Sequence, residues 1–233
     1  MTTRNIFASI DVRGFINRYK NDITSYYNGI DVTSKYMNAE LEEMLIRIKN
    51  GEQSIMKIGY WDRGILPEYT RLISSKESTI GYKVTSNDFD WINEPEELRL
   101  NNIYNLMIAA DNGDKIRWWG HSIRPNSHIQ AIISDVHKIN PQPGRPAEFA
   151  DFERRNVQFY YANSAVNPEV LHEGVEVSTQ QAYCMECTLQ GNSQKEINYD
   201  IDLMLLSTSF LYEGSLISVP IVRIVVDPTI IIN

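Results

Sequence analysis

Residues 197–205 read Ile-Asn-Tyr-Asp-Ile-Asp-Leu-Met-Leu. Successive side chains of an extended chain point to opposite faces. Ile197, Tyr199, Ile201, Leu203 and Leu205 therefore share one face, and Asn198, Asp200 and Asp202 the other. A helix would scatter both sets around its axis. The stretch is a strand whose apolar side needs a core and whose polar side is expected to face water. Such a strand demands partners to pair with and a second layer to cover it.

Further strands are legible on both sides of it. Residues 5–12 place Ile6, Ala8, Ile10 and Val12 on one face, and Asp11 is then positioned to cap a short helix carrying Phe15, Ile16 and Tyr19. Residues 38–51 switch to helical spacing at Leu41, Met44, Leu45 and Ile48, with Asn38 as cap and Asn50-Gly51 as stop. Residues 55–61 and 79–85 are strand-like and are expected to form the arms of a long hairpin. Residues 103–110 alternate and lead through Asn112-Gly113, a turn signal, into Lys115-Ile116-Arg117-Trp118-Trp119-Gly120-His121-Ser122, so a second hairpin is expected there. In that strand Ile116 and Trp118 face inward, while Arg117, Trp119 and His121 share the other face. Residues 127–139, 157–161, 181–189, 216–226 and 229–232 complete the strands, the segment at 157–161 being read as short. Pro220 cannot donate to a ladder and points to an edge or a bulge. Residues 140–146 contain three prolines and form a loop. The pattern predicts an all-β fold with minor α content, an antiparallel β-sandwich with one or two short helices. The whole chain, 1–233, is expected to be one domain with an insertion at about 38–99.

Charge narrows the partners. The net charge is −8 and the pI about 5.1, which argues against nonspecific binding to nucleic acid or to an anionic membrane. The apolar run at the start is too short for a signal-peptide core, and no stretch reaches the length needed to span a bilayer. Two cysteines supply no disulfide framework, so a reducing cytoplasm is the expected compartment.

No assembled catalytic set emerges. Cys184-Met185-Glu186-Cys187 has redox or zinc spacing, but in a strand an offset of three sends the thiols to opposite faces, and no second pair completes a metal site. Gly120-His121-Ser122-Ile123-Arg124 lacks the second glycine of a nucleophile elbow, and Pro125 opposes the helix that should follow. Asp135 and His137 share a strand face and could form an oriented imidazole, or simply a solvated polar pair. Asp88, Asp90, Glu94, Glu96 and Glu97 do not match a calcium loop, and the plainer reading is a solvated acidic loop. The four histidines, His121, His128, His137 and His172, show no metal spacing. No Walker loop or dinucleotide fingerprint is present, so no cofactor and no metal are expected.

The element Gly113-Asp114-x-Ile116-Arg117-Trp118, the strand that follows it, the opening at 5–20 and the close through 197–206 and Asp227-Pro228 resemble the PixA/AidA-type bacterial inclusion body proteins. Trp119 stands where that family usually has a basic residue, Val225 and Val226 replace an aromatic pair, and the chain is longer at 38–99, so the resemblance is to a divergent member. It implies a non-enzymatic protein that associates with itself as an oligomer or lattice in cytoplasmic inclusions. Trp118, Ile116, Ile201 and Leu203 are then structural core. Trp119, Arg117 and His121 are the candidate contact surface, serving self-association or, in the alternative of a lectin-like or small-ligand module, stacking a carbohydrate with help from Tyr160.

Overall fold

The computed structural model describes residues 1–59, 69–82, 106–122, 128–139, 144–165 and 175–233. The fold is β-rich, as the alternation predicts, with two helices among the described residues. The chain runs β1 (Thr3–Ile10), α1 (Val12–Tyr26), α2 (Ala39–Lys49), β2 (Met56–Ile58), β3 (Thr70–Ile73), β4 (Thr79–Tyr82), β5 (Leu106–Ala110), β6 (Lys115–Ser122), β7 (Gln130–Lys138), β8 (Phe149–Ala165), β9 (Val175–Leu189), β10 (Glu196–Leu206), β11 (Phe210–Tyr212), β12 (Ser215–Ile217), β13 (Pro220–Val226) and β14 (Thr229–Ile232).

Both helices start where their caps predict. The Asp11 carboxylate accepts from Gly14 N at 3.1 Å, and the Asn38 side-chain oxygen accepts from Leu41 N at 2.8 Å. Leu41, Met44, Leu45 and Ile48 are the buried face of α2, and Glu40 and Glu42 at its start and Arg47 and Lys49 at its end complement the helix dipole. α1 outlasts the short helix expected, because Ile23 extends the buried stripe of Phe15 and Tyr19. The hydroxyl of Tyr27 donates to Ile221 O and accepts from Met56 N, which ties the end of α1 to β13 and β2.

The strands form two main sheets. The first has the order β3-β1-β6-β9-β8; the second has β2-β13-β10-β14-β5-β4, with β7 also on β10. Ile201 faces Val226 and Asn198 faces Thr229, so β13 and β14 continue along β10 in one register across Asp227-Pro228. Pro220 opens β13 at a register shift opposite Leu205 and Leu206, the bulge its missing N–H calls for. The sheets are mixed: β1–β6, β13–β2 and β14–β5 are parallel pairs. Each joins strands far apart in sequence, a pairing that local turn signals do not encode.

Neither expected hairpin forms. Met56–Ile58 pairs with β13 and Thr79–Tyr82 with β5. The Asn112-Gly113 turn links β5 in the second sheet to β6 in the first. A two-residue hairpin turn of the favoured type needs positive φ at both central residues. Here Gly113 has φ 91°, Asn112 has no positive φ, and Asp114 N bonds back to Asp111 O. Asp114 fixes this corner, accepting from Thr2 N at 2.6 Å and Arg4 Nε at 3.0 Å. The helix α2 and the strands β2, β3 and β4, within the stretch 38–99, supply residues to the same core and strands to both sheets.

The core lies between the sheets. Trp118, Ile116, Ile201 and Leu203 are fully buried in it. Trp118 packs against Phe149, Phe152 and Tyr199, and its indole N–H donates to the Tyr199 hydroxyl at 3.0 Å. The strand expected to be short at 157–161 is the 17-residue β8, whose partner β9 continues well beyond β6.

Candidate functional site

Register places the residues of interest in two rows across the outer face of the first sheet. One row runs Asn5, Arg117, Glu186, Glu153; the next runs Ile73, Phe7, Trp119, Cys184, Arg155. Trp119 is half-buried. Its ring lies nearly parallel to Phe7, with centroids 6.1 Å apart, and its indole N–H donates to the Asn5 side-chain oxygen at 2.9 Å. His121 is paired in register with Ser9, and its side chain lies outside the described residues. So do the side chain of Tyr160 and all of Asp88, Asp90, Glu94, Glu96, Glu97 and His172.

Glu186 anchors the polar row. Its carboxylate is only 3% exposed and accepts from Lys115 Nζ at 2.8 Å, from Arg155 Nη1 at 2.8 Å and from Arg117 Nε. Burial pushes its carboxyl up, but the three cationic donors outweigh that and hold it down at about 2. Its ionised pairing therefore stabilises the fold fully above its ordinary 4.5 and is lost as pH falls toward 2. Glu186→Gln should cost about 2 kcal/mol at neutral pH, less than the roughly 3–5 kcal/mol of a fully buried pair, because the three cations can turn to solvent. In urea titrations the gap between variant and wild type should close as pH falls from 5 to 2.5; a gap that persists in acid would refute the assignment.

The chemistry sought at the cysteines does not assemble. Cys184 lies opposite Trp119 and Cys187 opposite Ile116, on the two faces of β9, as their offset of three requires. Both are free and buried. Burial raises the Cys184 thiol despite Arg117 and Arg155 nearby, and pushes Cys187 up to about 12. Both are held as neutral thiols, the unreactive form.

A second polar cluster sits on β10. Asp200 and Asp202, expected to face water, are buried. Alternation assigned them a face, but not what lies beside them on the flanking strands. Asp202 stands between His137 of β7, Nε2 at 3.2 Å, and Arg223 of β13. Asp135 shares the face of His137, with no register shift between them, but its carboxylate pairs with Arg145 at 3.0 Å. The Asp202 contact raises the His137 pKa against the opposing effect of burial. Both imidazole nitrogens are engaged, Nδ1 with Lys138 O at 2.8 Å and Nε2 with Asp202. That leaves no ring nitrogen turned to a nucleophile. Ser122 is buried at the end of β6, and His128 Nε2 meets Thr33 O at 2.8 Å. Among the described residues no three His, Cys, Asp or Glu side chains are grouped to hold a metal, and no helix is long and apolar enough to cross a membrane.

Sequence reasoning missed a cavity. β6 pairs with β9 only as far as Trp119 and Cys184; beyond them β9 continues with β8 and leaves β6. The opening is a cleft of about 740 Å³ lined by Phe7, Arg117 and Trp119 on one side and Val157 and Ala182 on the other, with Ile132 of the second sheet. The length of β9 relative to β6 was the signal, and it is visible only once the register is known.

Nothing among curated proteins matches the chain. A crystal structure of the PixA inclusion body protein from Burkholderia cenocepacia J2315 is similar over 97% of this chain and 94% of that one, at 15% identity and a TM-score of 0.49. The family model for the PixA inclusion body proteins matches residues 65–217. That stretch includes Gly113 to Trp118 and the strand around Ile201, and leaves out the opening strand and Asp227-Pro228. It is about two thirds of the sequence, and the chain belongs to the PixA inclusion body protein family.

Proposed function

We propose that this protein is a non-enzymatic building unit of bacterial cytoplasmic inclusions and that it assembles by associating with itself. Family membership supports the reading, and one surface feature carries it. β11 and β12 form a small hairpin through Glu213-Gly214, with φ of 47° and 78°, and Leu211 and Leu216 face each other across it. Both leucines are held out in water, 67% and 73% exposed. A cross-strand pair of exposed leucines on one hairpin is the kind of apolar surface that marks a protein contact. The net charge of −8 opposes assembly at neutral pH, so salt or a pH near 5 should promote it.

The test pairs electron microscopy of expressing cells with sedimentation of the purified protein. Wild type should form inclusions. Leu211→Asp with Leu216→Asp should remain dispersed and sediment as a smaller species, with an unchanged unfolding midpoint because neither side chain is in the core. Dispersed wild-type protein at high abundance, or turnover that survives rigorous purification, would overturn the proposal.

A further inference from the structure

We propose that the cleft between β6 and β9 is a binding site for a small apolar acid, a planar or aliphatic body ending in one carboxylate. This goes beyond the self-association reading and does not depend on it.

The cleft, about 740 Å³, lies within the range of small-molecule sites, roughly 300–1,000 Å³. Its lining fits the body of such a ligand. Trp119 and Phe7 present nearly parallel rings, and Val157, Ala182 and Ile132 add aliphatic surface. The Trp119 indole N–H is occupied by Asn5, so the ring has a fixed orientation and offers a face rather than a donor.

Arg117 supplies the polar end. Its Nε is bound to Glu186, while its two terminal amino groups have no partner among the described residues. Glu186, itself gripped by Lys115 and Arg155, holds the guanidinium in place before any ligand arrives. A guanidinium edge with two parallel N–H groups matches a carboxylate. The local charge agrees: Lys115, Arg117 and Arg155 are three cations against the two carboxylates Glu186 and Glu153, an excess of one positive charge on a chain whose net charge is −8. One surplus charge suits a monoanion. A saccharide fits less well, because the lining is mostly apolar and its indole donor is occupied.

Isothermal titration of the full chain with 2-naphthoate, and with its uncharged amide 2-naphthamide, tests the proposal. Naphthoate should bind with one site per chain, and the amide about tenfold more weakly, the loss expected for one charge-assisted contact. Arg117→Gln should weaken naphthoate by about tenfold and leave the amide unchanged. Val157→Trp, a half-buried position on β8, should block both by filling the cleft, and it keeps the location testable if the Arg117 variant fails to fold. No binding of either probe to wild type, equal binding of acid and amide, binding undiminished by Val157→Trp, or binding of neutral disaccharides in place of naphthoate would each overturn it.

Discussion

Trp118→Ala should lower the free energy of unfolding by about 3–5 kcal/mol, the range for removing a large aromatic side chain from a packed core. Trp118 is fully buried and touches Phe149 and Phe152 as well as Tyr199, so the hole it leaves is walled by rings that cannot all move in. A second loss adds to the cavity. The Tyr199 hydroxyl, itself buried, gives up its indole partner. Tyr199→Phe isolates that second part: it leaves the indole N–H unmatched and should cost about 1–3 kcal/mol with almost no change in volume. Trp119→Ala, one residue on, removes a half-buried ring from the outer face and should cost clearly less than Trp118→Ala. Urea unfolding of the three variants decides the matter. Equal losses at the two tryptophans would contradict the inward and outward phases assigned to them.

That phase could be read from residues alone, because a period of two is a local property. The same is true of the helix caps at Asp11 and Asn38 and of the bulge at Pro220, each set by a side chain or a missing donor within a few residues. What failed was non-local. The Asn112-Gly113 turn was legible, but the same dipeptide can close a hairpin or carry the chain between sheets. The choice was made by the parallel pairing of β6 with β1, more than a hundred residues upstream. Asp200 and Asp202 failed for a related reason. Polar residues at alternate positions mark a face, and burial of that face depends on His137 and Arg223 arriving from two other strands. The Glu186 cluster draws its three cations from β6 and β8, and the cleft exists only because β9 outruns β6. Arg117 and Trp119 were picked out as a contact surface; their arrangement as part of the lining of a cavity required the register.

Gly120→Ala should cost about 3 kcal/mol, the upper end for overpacking, and Gly120→Val should prevent stable folding. The backbone conformation of Gly120 is open to any residue, since its φ is outside the left-handed region, so the cost is one of space alone. A methyl placed there would sit 2.5 Å from Ile133 N and 2.8 Å from the Ile132 carbonyl carbon. Both are backbone atoms, and β7 cannot retreat, because Ile132 and Ile133 are held in register with Met204 and Leu203 of β10. A third neighbour, the Leu203 methyl at 3.2 Å, is buried and has no room to turn away. Gly120 is thus the point where a strand of the first sheet crosses a strand of the second with no side chain between them. Gly113→Ala provides the contrast: it meets open space, and its cost arises from φ 91°, about 1–2 kcal/mol of left-handed strain. Thermal unfolding should therefore rank wild type above Gly113→Ala and Gly113→Ala above Gly120→Ala. A Gly120→Ala protein as stable as wild type would mean that the two strands do not cross in backbone contact, and the cleft beside them, which Gly120 and Ile132 also line, would have to be redrawn.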